Sequence, residues 1–163
     1  MRADPDPYRV LMVCWGNICR SPAAEGILRH LAMARGVEVE VDSAGTSQEH
    51  EGQAPHRRTI AEAGRRGFDV SGQRARQLRR DDFDRFDLIL TADDTVDRIV
   101  RERAPAQASA RIIKMTEVGP DASEWPEVPD PYFGTDQDYV LVFDLLERAL
   151  GGLLDTLAAG RRP

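Results

Sequence analysis

Tyr8-Arg9-Val10-Leu11-Met12-Val13, running into Cys14-Trp15-Gly16-Asn17-Ile18-Cys19-Arg20-Ser21-Pro22, is the stretch on which the fold turns. Its first part is almost wholly apolar and short, as expected of a strand buried on both faces. Ser21-Pro22 then offers a favoured N-cap followed by a favoured first helical residue. Ala23, Ile27, Leu31 and Ala34 recur at helical spacing until Gly36. Val37, Val39 and Val41 alternate with Glu38, Glu40 and Asp42, which is the period of a strand. Strand, loop, helix and strand in succession make a βαβ unit, and such units pair their strands in parallel.

The pattern continues beyond that unit. A polar loop follows Ser43-Ala44-Gly45-Thr46, and a helix is predicted over 56–66 with Ile60, Ala61 and Ala63 on its inner side. Residues 86–92 read as another buried strand. Residues 93–103 read as a helix whose acidic first turn suits its dipole. Ile112 and Ile113 mark a short fourth strand. Residues 116–136 show no periodicity and contain Gly119, Pro120, Pro126, Pro129, Pro131 and Gly134. Loops of that length usually carry function. A last helix is predicted over 138–158, with Val142, Leu145, Leu146, Ala149 and Leu153 on one side. The expected fold class is α/β: one three-layer α/β/α domain with a four-stranded parallel sheet, flavodoxin-like. Residues 1–7 are expected to form a polar arm and 8–160 the domain.

Composition narrows the function. The chain has 163 residues, 28 acidic against 22 basic, for a net charge of -6. All the basic residues but Lys114 are Arg, and they are scattered, which argues against the basic stripe of a nucleic-acid binder. No apolar run is long enough to span a membrane, and the first ten residues carry charges and prolines where a signal peptide needs an apolar stretch. The expectation is therefore a cytoplasmic protein with neither nucleic acid nor membrane as partner. Two cysteines are too few for a disulfide framework. His30, His50 and His56 show no metal-ligand spacing, so neither metal nor cofactor is expected.

Cys14 and Cys19 share the loop between the first strand and the first helix, in a C-x5-R-S pattern. In parallel α/β sheets ligands sit at the carboxyl ends of the strands, which is where this loop lies. Successive backbone N–H groups can form an anion nest, and the helix start adds its positive end. Arg20 can clamp two phosphate oxygens with its planar fork. Gly16 lets the loop curl, Asn17 can tie it together, and Ser21 can hydrogen-bond the Cys14 sulfur. These surroundings favour a thiolate, so Cys14 is the expected nucleophile. A cysteinyl-phosphate route also needs an acid for the leaving oxygen and a base for the releasing water. Asp130, framed by Pro129 and Pro131, can be both in turn.

Together these residues resemble the low-molecular-weight protein tyrosine phosphatase family. The resemblance runs from Tyr8 to the last helix. It rests chiefly on the segment from Val13 to Pro22 and on Asp130-Pro131-Tyr132-Phe133-Gly134. Asp42-Ser43-Ala44-Gly45-Thr46 and Arg74-Ala75-Arg76-Gln77-Leu78 support it. It implies phosphotyrosine hydrolysis without metal, with Cys14 as nucleophile, Arg20 as clamp and Asp130 as general acid and base. Trp15, Gly16, Asn17, Ile18, Cys19, Ser21 and Tyr132 would bind phosphate and substrate, and Ser43 would support the loop. Cys19 would be the redox partner of Cys14. The implied partner is a tyrosine-phosphorylated protein, such as a bacterial tyrosine kinase or its targets, and the implied state is a monomer.

Three related readings compete. Arsenate reductases of the same fold relay a disulfide through further cysteines, and none follows Cys19. Arginine phosphatases carry Thr where this chain has Ile18. A phosphate- or phosphotyrosine-binding module would need the cradle but not Asp130. The chain also departs from the family's pattern. Glu49 stands where many members place an aromatic residue, so it is expected on the cleft rim, disfavouring acidic substrates. Gln73 stands where a loop-supporting His is usual, and His56 where Asp is usual.

Overall fold

The computed structural model of the chain describes residues 6–163. Strands Tyr8–Cys14 (β1), Val39–Gly45 (β2), Leu88–Thr91 (β3) and Arg111–Lys114 (β4) form one sheet in the order β2-β1-β3-β4. All pairings are parallel, with Cys14 opposite Gly45 and Val13 opposite Thr91. The helices are Arg20–Arg35 (α1), Arg57–Arg65 (α2), Asp82–Arg85 (α3), Asp94–Arg103 (α4) and Asp136–Ala158 (α5).

Alternation along the strands builds two cores, because successive side chains point to opposite faces. Val10 and Met12 of β1, with Leu88 and Leu90 of β3, meet Ile27 and Leu28 of α1 and Phe143, Leu146 and Leu150 of α5. Leu11, Val13 and Ile89 point the other way, onto Phe83, Phe86, Val96 and Val100. Both central strands are thus buried on both faces, which is why they read as continuous apolar runs. The three-layer parallel architecture is the one expected, and among the described residues no helix is long and apolar enough to cross a membrane.

Several local expectations are corrected. Helix α1 starts at Arg20, with Cys19 at the cap position, and Ser21 does not cap it. The Ser21 hydroxyl is engaged with Cys14 and Asn17 instead. On α1, Ala34 is exposed, and Ala32, one helical turn from Leu28, is buried. On α2, Ala61 is exposed while Thr59, Glu62 and Ala63 turn inward. Glu62 tolerates burial because Arg65 and Arg66 hold it at 2.7 and 2.6 Å. The short α3 went unpredicted, as did a 3₁₀ turn, Met115–Val118, which opens the long loop. Of the expected N-terminal arm, residues 1–5 lie outside the described residues, and 6 and 7 have no regular structure.

Candidate active site

The first strand delivers Cys14 to the centre of the sheet's carboxyl edge, and the chain then wraps around its sulfur. The Asn17 N–H donates to Cys14 Sγ at 3.3 Å, and Ser21 Oγ lies 3.0 Å from it. Asn17 achieves this with φ at 58°, a left-handed conformation that Asn enters more readily than most residues. A left-handed residue of this kind is one element of the concave nests that anions occupy. Gly45, opposite Cys14, has no room for a side chain: a Cβ there would come within 2.9 Å of the Trp15 carbonyl oxygen.

A hydrogen-bond network fixes the loop from behind. The Arg76 N–H donates to Asn17 Oδ1 at 3.0 Å, which leaves Asn17 Nδ2 to donate to Ser21 Oγ (2.7 Å) and Ser43 Oγ (3.0 Å). Ser43 Oγ in turn donates to Glu25 Oε1 at 2.7 Å. Gln73, which stands where a loop-supporting His is usual, donates from its Nε2 to the Pro22 carbonyl at 3.1 Å.

Arg20 is 3% exposed, and its guanidinium is held by other groups of the protein. Nη1 donates to Asp93 Oδ2 at 2.7 Å and to the Val128 carbonyl at 3.0 Å, while Nη2 lies 3.7 Å from Asp130 Oδ2. Burial opposes its charge, but the Cys14 sulfur and the Asp93 and Asp130 carboxylates outweigh burial and raise it above the usual arginine range. Asp93 is itself fixed as the N-cap of α4, accepting from the Val96 N–H at 2.8 Å. Asp130 arrives from the long loop, where its Oδ1 accepts from the Tyr132 N–H at 3.1 Å.

These groups open into a cleft of about 390 Å³. Its inner part is Cys14, Gly16, Ile18, Cys19 and Arg20; Trp15, Glu49, His50, Asp130, Tyr132 and Phe133 line the rest. The His50 ring lies 6.4 Å from that of Trp15 and 6.1 Å from that of Tyr132, so it links the two aromatic walls. Behind Tyr132 lies His56, 5.7 Å away, which caps α2 by accepting the Arg58 N–H. Cys19 also meets Tyr139, whose hydroxyl is 3.5 Å from its Sγ. Burial pushes the Cys19 thiol up to about 11, so it stays protonated at neutral pH. Both cysteines are free. Among the described residues no cluster of three His, Cys, Asp or Glu could hold a metal.

The structure thus brings Cys14, Trp15, Gly16, Ile18, Cys19, Arg20, Asp130 and Tyr132 to one cleft, with Asn17, Ser21 and Ser43 beneath it. Sequence reasoning missed Asp93, Glu25, Arg76 and His50. Asp93 carried a signal, since it follows a predicted central strand and precedes a helix. Glu25 carried a weaker one, as a carboxylate four residues after Ser21 on an otherwise apolar helix face. The Arg76 contact runs through the backbone, on which the side chain leaves no mark.

Known proteins are similar to this chain in sequence and fold. A low molecular weight protein-tyrosine-phosphatase of Streptomyces coelicolor is 36% identical over 151 residues, covering 90% of this chain and 92% of its own. The crystal structure of YfkJ from Bacillus subtilis superposes with a TM-score of 0.89 at 33% identity, over 98% of this chain and all of that one. The Drosophila arginine phosphatase superposes with a TM-score of 0.83 at 27% identity, over 90% of this chain and 95% of that one. The model of the low molecular weight phosphotyrosine protein phosphatase family matches residues 9–162, and the chain belongs to that family.

Proposed function

We propose that this chain hydrolyses phosphotyrosine in proteins through a cysteinyl-phosphate intermediate. The observation that carries the reading is the seating of Cys14 Sγ against the Asn17 N–H and the Ser21 hydroxyl, in the same cleft as the pinned guanidinium of Arg20. The sulfur attacks phosphorus while the bond from phosphorus to the phenolic oxygen breaks. Asp130, in its acid form, passes a proton to that oxygen. As a carboxylate it then takes a proton from water, which attacks the phosphocysteine and releases inorganic phosphate. Arg20 and the loop amides hold the three non-bridging oxygens throughout. Trp15, His50 and Tyr132 form a slot whose apolar walls suit an aryl ring. The substrates are tyrosine-phosphorylated proteins, a bacterial tyrosine kinase and its targets among them; the enzyme acts as a cytoplasmic monomer.

The test is hydrolysis of an aryl phosphate in the presence of a chelator. Cys14→Ser is expected to abolish turnover while inorganic phosphate still binds. Turnover retained in Cys14→Ser overturns the mechanism. Faster hydrolysis of phosphoarginine than of phosphotyrosine overturns the substrate assignment.

A further inference from the structure

The mouth of the cleft carries two features that phosphate capture leaves unused. The first is exposed aromatic surface. Trp15, Tyr132 and Phe133 are 43%, 38% and 98% exposed, and all three line the cleft. Apart from Met33, they are the large apolar side chains that the described residues leave exposed. Single exposed apolar residues need no explanation, but three around one opening mark a contact surface. The second feature is an unpaired carboxylate. Glu49 is exposed and lines the same cleft, yet among the described residues its side chain forms no ion pair and no hydrogen bond. Arg20 is the single Arg or Lys among the lining residues, and Asp93 and Asp130 already balance it.

The turn that presents Glu49 is held through its backbone. The Ser47 N–H donates to the Trp15 carbonyl at 2.9 Å, and the Glu49 N–H donates to Ser47 Oγ at 3.0 Å. Farther along, the Gly52 N–H donates to the Ala75 carbonyl at 2.8 Å. The ring of His50, the next residue, packs over Gly16, where a Cβ would come within 3.0 Å of His50 Cδ2. A ligand group that meets Glu49 therefore meets a partner already in place, with little ordering left to do. An unbalanced carboxylate at the mouth of a phosphate site repels a dianionic ligand, unless the ligand brings a cation of its own.

We propose that Glu49 is a specificity-determining residue that selects phosphotyrosine flanked by a basic side chain, arginine above all. The proposal rests on the phosphotyrosine reading of the cleft. Many members of the family have an aromatic residue at this position, so the charge preference is not one that the family's pattern supplies. A guanidinium answers both features at once. It pairs with a carboxylate through two parallel hydrogen bonds, and its flat face lies well on an aromatic ring. Lysine offers the charge without the planar fork, and glutamate in the same place is repelled. The contact is made by a part of the substrate remote from the reacting atoms and persists from bound substrate to transition state. It therefore lowers KM and leaves kcat.

The experiment compares kcat/KM for synthetic phosphotyrosyl peptides at low ionic strength, with Arg, Gln or Glu at one flanking position at a time on either side. For the unmodified chain the Arg peptide is expected to exceed the Glu peptide about tenfold at the position that meets Glu49, attraction and repulsion contributing about threefold each. The difference is expected in KM and is expected to shrink as added salt screens it. In Glu49→Gln the ratio of Arg to Glu peptide is expected to fall to within about twofold of unity, and in Glu49→Arg to invert. Ratios are taken within each variant, so a general loss of activity does not imitate the effect. Equal values for Arg, Gln and Glu at every position overturn the proposal. So does a preference for Arg that Glu49→Gln retains. Failure of the unmodified chain to hydrolyse any of the phosphotyrosyl peptides would instead overturn the phosphotyrosine reading, so the two failures are distinct.

Discussion

Asp130 is half-exposed, whereas Cys14 and Arg20 are buried, and the contrast suits the tasks proposed for them. A nucleophile and a clamp gain from a dry, preset site, while a proton carrier must meet both the leaving oxygen and water. The proton matters most when the leaving group is a poor one, such as tyrosine, whose phenol has a pKa of about 10. Asp130→Ala is therefore expected to slow phenyl phosphate hydrolysis about a hundredfold and to slow esters of acidic phenols much less. Equal losses across a leaving-group series would remove Asp130 from the acid role. Cys19 poses a separate question at this scale. Its raised thiol makes it a weak nucleophile, so as the proposed redox partner it is expected to react only once peroxide has turned Cys14 into the electrophilic sulfenic acid. Peroxide inactivation is expected to reverse with dithiothreitol in the native enzyme and to become mostly irreversible in Cys19→Ser. Full recovery of Cys19→Ser would dismiss the guard.

Elements place these residues through close backbone approach. The β2 strand must pass close to the cysteine loop at Gly45, whose N–H donates to the Arg76 carbonyl and whose carbonyl accepts from the Leu78 N–H. A methyl group in Gly45→Ala would overlap the Trp15 carbonyl, with another backbone oxygen, that of Ser47, at 3.1 Å. Backbone cannot yield as a side-chain tip can, so the substitution is expected to cost about 1–3 kcal/mol and to lower kcat by moving the loop. Denaturant unfolding with parallel kinetics checks both effects, and a variant with native stability and native kcat would refute the close approach. This is also where sequence reading stopped short. The strands and long helices were legible because burial imposes a period on the chain. That the Cys14–Arg20 loop and Asp130 meet in one cleft was legible because the proposed chemistry needs particular residue types, and Glu49 also lines that cleft. For Ser21 the sequence offered two uses, capping the helix and bonding the Cys14 sulfur, and could not choose between them. A Ser-Pro pair looks the same whether its hydroxyl caps a helix or faces a sulfur, and only the fold decides.

For the whole molecule, acid sensitivity follows from two groups on or beside α2. Burial first, then Arg57 and Arg58, lower the His56 imidazole below its ordinary range. Burial works against ionised Glu62, but Arg66 and Arg65 more than offset it and hold the carboxyl below its usual range. Both groups bind a proton less readily folded than unfolded. Their stabilisation is present above the unfolded values, about 6.5 for His and about 4.3 for Glu, and is lost as pH falls through the folded ones. Glu25, raised by burial, contributes in the opposite direction. The melting temperature is therefore expected to fall from pH 7 to pH 4, and His56→Gln with Glu62→Gln to flatten that slope while lowering stability at pH 7. Each kcal/mol corresponds to about 2–4 °C in a domain of this size. A slope unchanged in the double variant would place the acid sensitivity elsewhere.

The pinning of Arg20 by Asp93 and the Val128 carbonyl has a calorimetric consequence. A free arginine must surrender about 2 kcal/mol of rotamer entropy to grip an anion. Here the bonds to Asp93 and Val128 already restrict that freedom, so oxyanions of similar shape are expected to bind with nearly the same small ordering penalty. Differences in affinity among them then report how well each fills the cradle, and titration heats become a direct ruler of that fit.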